Sequence, residues 1–366
     1  MTEQSSTPQP RPGPLRIAPY VGGKASIGGV NRVVKLSSNE NPYGASPAAI
    51  AAFRAAGETL ALYPDGAATA LREAIAKAEG LNPAGIICGA GSDELLSLLC
   101  LAYAGPGDEV LHSAHGFLMY HLSALAVGAE PVSIPERDLT ADIDAMIAAA
   151  NERTRIVFIA NPNNPTGTML PEADIRRLRE GLPGHTLLVI DAAYAEYVDD
   201  PEYDAGARLV SERDDTIMTR TFSKIHGLAA LRLGWGYGPA SVIDALNRVR
   251  GPFNVSAPAQ AAGTEAIADA DFITTSRNGN RVERARVTEA LEGMGFPVAP
   301  SHGNFVLAEF GDSGPRSAAG VDEFLQKRGI LIRRMEGYGL PGHLRISIGT
   351  AEENGLLIDA LRDFTA

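Results

Sequence analysis

Leu187-Leu188-Val189-Ile190-Asp191-Ala192-Ala193-Tyr194 opens on an unbroken apolar run that a single acid, Asp191, closes. A strand with one face in water alternates apolar and polar residues. A continuous run predicts a strand covered on both faces. Glu109–Ser113, residues 155–160 and Thr216–Thr221 read the same way, with helical stretches at Leu118–Val127 and residues 172–180 between them. That alternation predicts an α/β fold: a largely parallel sheet with crossover helices on both faces.

Outward from this centre, Pro47–Ala56 and residues 67–79 predict helices, stopped by Gly57 and Gly80. Ile86–Gly89 predicts a strand running into Gly91-Ser92-Asp93-Glu94 and a helix over residues 93–103. A short strand is expected at residues 33–36. Past Gly251 the texture changes. One helical stretch rich in Ala, Glu and Arg spans residues 257–291. Strand-like segments at 304–310, 330–333 and 344–348 follow, with a helix near 321–328. This predicts a smaller α+β domain.

Lys and Arg number 32 against 44 Asp and Glu, a net charge of −12. Such a balance argues against a nucleic-acid partner. Cys88 and Cys100 are too few for a disulfide scaffold or a zinc cluster and fit a reducing cytoplasm. Residues 1–14 are rich in Pro, Ser and Gln and lack the basic-then-apolar order of a signal peptide, so a mobile arm is expected. Residues 110–129 contain no Asp, Glu, Lys or Arg, but His112, His115 and His121 among glycines and serines favour a buried strand–turn–helix over a membrane span.

Lys224 follows the apolar strand Thr216–Thr221, between small hydroxyl residues and a glycine. Sheets of this kind bind ligands at the carboxyl ends of their strands, where a lysine can condense with a carbonyl cofactor. Asp191 closes its own apolar strand, and a buried carboxylate there needs a partner such as a protonated heterocyclic nitrogen. Tyr194 lies three residues on. Asn161-Pro162-Asn163-Asn164-Pro165-Thr166-Gly167 sets two Asn-Pro steps in one loop, able to aim an amide inward. Gly89-Ala90-Gly91-Ser92 is a glycine turn before a helix, able to cradle a phosphate on backbone N–H groups. It is neither a dinucleotide fingerprint nor a Walker loop, so a nicotinamide oxidoreductase is disfavoured. Arg232 and Arg345 lie in apolar stretches and each calls for an anion. An amine, an acid, an amide, a phenol, a phosphate cradle and two arginines suit pyridoxal phosphate.

In this order the set resembles the fold-type-I pyridoxal-phosphate-dependent aminotransferases, from Ile17 to the C-terminus. The marks are residues 35–44 (Lys-Leu-Ser-Ser-Asn-Glu-Asn-Pro-Tyr-Gly), Tyr63-Pro64-Asp65-Gly66, Asn163-Asn164-Pro165-Thr166-Gly167, Thr221-Phe222-Ser223-Lys224, Gly337-Tyr338-Gly339-Leu340-Pro341 and Leu344-Arg345-Ile346-Ser347. The Asn-Glu-Asn-Pro start and the Gly-Tyr-Gly-Leu-Pro segment are similar to the histidinol-phosphate and aromatic aminotransferase branch. The resemblance implies a mostly parallel seven-stranded sheet in a large domain (46–252), a small domain built from 29–45 and 253–366, and an N-terminal arm (1–28).

It further implies a catalytic set of Lys224, Asp191 and Tyr194. Lys224 would hold the cofactor aldehyde, Asp191 would pair with the ring nitrogen, and Tyr194 and Asn164 would hydrogen-bond the ring hydroxyl. Ser92, the backbone of Asp93, Thr221, Ser223 and Arg232 would surround the phosphate. Phe117, favoured over His115, would stack on the ring, and Tyr63 would reach the phosphate of a neighbouring subunit in a homodimer. Tyr20, Asn41, Arg333 and Arg345 would bind substrate, with Arg334 the alternative to Arg333. The implied reaction is ping-pong transfer of an amino group from L-histidinol phosphate to 2-oxoglutarate. The alternatives are an aromatic amino acid aminotransferase and a decarboxylase of a phosphorylated amino acid.

Overall fold

The computed structural model describes residues 8–19 and 32–366. Seven strands form the main sheet: β1 (Ile86–Gly89), β2 (Glu109–Ser113), β3 (Glu130–Ile134), β4 (Thr154–Ala160), β5 (Leu187–Asp191), β6 (Thr216–Thr221) and β7 (Gly234–Tyr237). Their spatial order is β1-β7-β6-β5-β4-β2-β3. β7 runs antiparallel to β1 and β6, and the other pairs are parallel. The expected α/β sheet is present. Along β4, Ile156 and Phe158 enter one apolar layer while Val157 and Ile159 enter another. That two-sided burial is why these strands read as continuous apolar runs.

Two strands of this sheet escape the sequence reading. β3 is an outer strand with Glu130 and Ser133 exposed and Pro131 within it, a residue that an edge tolerates. β7 is Gly-Trp-Gly-Tyr, where glycines mask a strand whose Trp235 is wholly buried.

The smaller α+β domain carries β8 (Phe305–Glu309), β9 (Arg333–Met335) and β10 (Leu340–Ser347), antiparallel in the order β8-β10-β9. Helices Ala270–Gly293, Ala318–Lys327 and Ala351–Thr365 supply Leu291, Leu325 and Leu357 to its core. The last helix, absent from the sequence reading, opens with a capping box between Thr350 and Glu353. Val34–Lys35 pairs in parallel with Ile330–Leu331, so the segment ahead of the main sheet runs beside the C-terminal part.

The stretch read as one helix is two, Ala257–Ala268 and Ala270–Gly293, separated at Asp269, whose carboxylate caps the second. Ala259, Ala262 and Ala266 of the first helix join the core of the large sheet with Leu71, Phe222 and Trp235. The second helix keeps this contact at its start, where Ile273 packs against Tyr194 and Tyr197, and turns to the smaller core further along, at Val287 and Leu291. The change of texture near Gly251 marks a loop. At the other end, part of the stretch read as a mobile arm is docked. Pro12–Leu15 forms a short helix, and Arg11 donates to the Ala126 carbonyl at 3.0 Å.

Candidate active site

A cavity of about 280 Å³ opens at the carboxyl ends of β5 and β6, between the main sheet and the smaller domain. Its walls include Ser92, Asp93, Phe117, Asn164, Asp191, Tyr194, Thr221, Ser223, Lys224, Arg232, Arg333 and Arg345.

One end gathers groups that could hold an anion. Gly91 turns the chain at φ +87°, and helix Ser92–Tyr103 starts directly after it, its first N–H groups without carbonyl partners in the helix. A Cβ on Gly234 would lie 2.2 Å from the Ser92 nitrogen, so only glycine lets β7 pass this close. Arg232, itself at φ +50°, reaches the same corner. Its guanidinium donates to Ser223 Oγ at 3.4 Å and pairs with Asp93 at 3.2 Å. Both partners of that pair are about half exposed, so the contact is weak and exchangeable.

Asp191 sits at the floor, 5% exposed. Its Oδ2 accepts from the Tyr120 hydroxyl at 2.8 Å and its Oδ1 from the Thr219 hydroxyl at 3.2 Å. Burial pushes its carboxyl up to about 6. Lys224 lies just past β6, its Nζ 5.7 Å from the centre of the Tyr194 ring. Desolvation, helped by Arg345, lowers its ammonium to about 8. The amine is therefore far easier to deprotonate than in water. Burial lifts the Tyr194 phenol to about 12, so it stays protonated.

The other end faces the smaller domain. Arg345, buried on β10, donates to Asn164 Oδ1 at 2.5 Å and to the Ser37 carbonyl at 3.0 Å. Asn39 adopts φ +55° and bridges the two halves. Its N–H donates to Ser347 Oγ at 2.7 Å, its Oδ1 accepts from that hydroxyl at 2.8 Å, and its Nδ2 donates to the Tyr194 oxygen at 3.0 Å.

The cavity gathers the residues expected from sequence, apart from Asn41, Tyr63 and Tyr20. Asn41 does not line it. Its amide donates to the Ile225 carbonyl at 2.7 Å and to Ser276, and so braces the backbone beside Lys224. Tyr63 stands outside, 83% exposed and stacked on Phe253 at 4.7 Å. His115 pairs with Glu136 at 2.7 Å and leaves the aromatic wall to Phe117. Tyr20 lies outside the described residues. Of the adjacent arginines, Arg333 lines the cavity and Arg334 pairs with Glu336. Sequence reasoning missed Tyr120, Thr219, Asn39 and Tyr338. Thr219 was within reach, since it shares a strand face with Thr221 two residues on. Tyr120 lies one helical step from Phe117.

Burial pushes both cysteine thiols up to about 12, leaving them inert packing groups. Among the described residues no cluster of His, Cys, Asp or Glu could hold a metal ion, and no helix is long and apolar enough to cross a membrane.

The sequence pattern of the class I and II aminotransferases matches residues 31–361, and the chain belongs to that family. Histidinol-phosphate aminotransferase of Rhodospirillum rubrum is 56% identical over 359 residues, covering 98% of this chain and 97% of that protein. Its counterpart in Maricaulis maris is 55% identical over 356 residues, 97% and 98% of the two chains. Within the family, the chain therefore falls among the histidinol-phosphate aminotransferases. The Sinorhizobium meliloti histidinol-phosphate aminotransferase, solved in complex with pyridoxal-5'-phosphate, superposes with a TM-score of 0.85 at 29% identity over 90% of each chain. Aspartate aminotransferase from Thermus thermophilus with maleate gives 0.81 at 25% identity over 91% of each.

Proposed function

We propose that this chain is a pyridoxal-phosphate-dependent transaminase of histidine biosynthesis. It moves the amino group of L-histidinol phosphate to 2-oxoglutarate, giving imidazole acetol phosphate and glutamate. The observation that carries this reading is the placement of Lys224 and Asp191 in one cavity between an anion cradle and a buried arginine. The cavity suits the cofactor on its own chemistry. The Ser92 helix start, Thr221, Ser223 and Arg232 are phosphate donors, and the glycines at 91 and 234 leave no Cβ in the cradle. Among the described residues Asp191 forms no ion pair, and its charge would be free to pair with the ring nitrogen.

When bound, the cofactor supplies an aldehyde that condenses with amines and a protonated ring that withdraws electrons from the reacting carbon. The protein supplies the rest. Phe117 would flank the ring, and Tyr194 and Asn164 would hydrogen-bond its hydroxyl. The Lys224 amine, neutral at lower pH than an ordinary lysine, would take the proton from the substrate Cα as general base and deliver it as general acid to the carbon contributed by the cofactor aldehyde. Arg345, oriented by Asn164 and Ser37, binds the substrate anion with Arg333 beside it. Tyr63, exposed and stacked on Phe253, serves the site of a second copy in a homodimer. The reaction takes place in the cytoplasm.

The test is the holoenzyme with 2-oxoglutarate and either histidinol phosphate or phenylalanine as amino donor. Histidinol phosphate is expected to be the better donor. A large preference for phenylalanine would replace the reading with an aromatic aminotransferase. Lys224→Ala should lower turnover by at least about a thousandfold.

A further inference from the structure

We infer that Tyr120 is a positioning residue: its phenol fixes the Asp191 carboxylate, in orientation and as an anion, to receive the nitrogen of the cofactor ring. The inference rests on the cofactor reading above.

A structural buried aspartate is ordinarily paired with a cation. Asp191 is not: among the described residues it forms no ion pair, and its hydrogen-bond donors are neutral, the hydroxyls of Tyr120 and Thr219 and the backbone N–H of Ala193. Neutral donors favour the carboxylate over the carboxylic acid without cancelling its charge. The negative charge is left for a ligand. The other ionisable groups facing Asp191 are Asp93, Tyr194 and Tyr203; Asp93 adds to the push that burial exerts against ionisation. Tyr120 works in the opposite direction, and burial raises its own phenol well above the usual range, so it remains a donor.

Its geometry is that of a fixed part. Tyr120 is 1% exposed, and its ring lies flat on Phe158, 4.6 Å between centres and 4° from parallel. Its edge meets Phe117 at 5.9 Å and 88°. One helix start therefore carries both the aromatic wall of the cavity and the hydroxyl beneath its floor. The ring contacts belong to packing, while the hydroxyl has Asp191 as its partner.

Tyr120→Phe separates those roles, because it keeps the ring and deletes one oxygen. The full-length apo protein and the variant are titrated by equilibrium dialysis with pyridoxal phosphate and with the analogue in which carbon replaces the ring nitrogen. The variant should bind pyridoxal phosphate roughly tenfold to a hundredfold more weakly, as expected for losing a hydrogen bond to a charged group. Its affinity for the carbon analogue should equal that of the parent chain. Thr219→Val, which strips the other oxygen, should show the same selectivity and serves if Tyr120→Phe folds poorly. Equal weakening toward both ligands would reduce Tyr120 to packing, and unchanged affinity for pyridoxal phosphate would remove its role altogether. If the parent chain does not bind pyridoxal phosphate, the cofactor reading fails and takes this inference with it.

Discussion

Asp191 costs the cofactor-free protein stability. Its carboxyl moves from an ordinary 3.8 to about 6 on folding, chiefly through burial. Between those values the folded chain holds a proton that the unfolded chain has released. The contribution to stability therefore falls as pH rises through that window and is a constant penalty above it. The shift corresponds to about 3 kcal/mol at pH 7. Asp191→Asn should accordingly stabilise the apo protein by on the order of 1–3 kcal/mol at pH 7, with the gain shrinking as pH falls below 6. Urea midpoints at pH 7 and 5 measure it, and a destabilised variant at pH 7 would contradict the electrostatic account. The same substitution should weaken pyridoxal phosphate binding. A group that opposes folding and serves a ligand is the usual pattern at a functional site.

At the scale of elements, the close crossing of β7 over the start of helix Ser92–Tyr103 decides whether the anion cradle exists. Gly234→Ala would set a methyl 2.2 Å from the Ser92 nitrogen, and backbone there cannot yield as a side chain would. The expected cost is about 1–3 kcal/mol in a urea melt, with weakened retention of the cofactor phosphate. β7 also shows where the sequence stops being readable. Buried strands such as Leu187–Asp191 and Thr216–Thr221 announce themselves by unbroken apolar runs, and Lys224 and Asp191 could be placed at strand ends from that pattern alone. Gly234-Trp235-Gly236-Tyr237 gives no such run, because its glycines answer to a neighbour distant in sequence. Tyr120 and Asn39 escaped for the same reason: their partners, Asp191 and Ser347, lie 71 and 308 residues away. Local patterns report which face of an element is buried, and say little about which distant atom a buried hydroxyl meets.

At the scale of the molecule, a net charge of −12 surrounds a cavity that gathers Arg232, Arg333 and Arg345. Away from it, Leu60, Leu62 and Tyr63 are 69%, 70% and 83% exposed, with Phe253 beside Tyr63. An apolar stretch of that kind suits burial against another protein surface. Sedimentation equilibrium should therefore give twice the chain mass, and Leu62→Asp should shift the protein toward the monomer. A parent chain that sediments as a monomer at micromolar concentration would sink the shared-site reading. Asn39 carries a different consequence. It ties Ser347, and with it the strand bearing Arg345, to the phenol of Tyr194 on the sheet side of the cavity. Two binding events joined through one stiff link are thermodynamically reciprocal: whatever factor a bound substrate anion imposes on cofactor affinity, the cofactor returns to the anion.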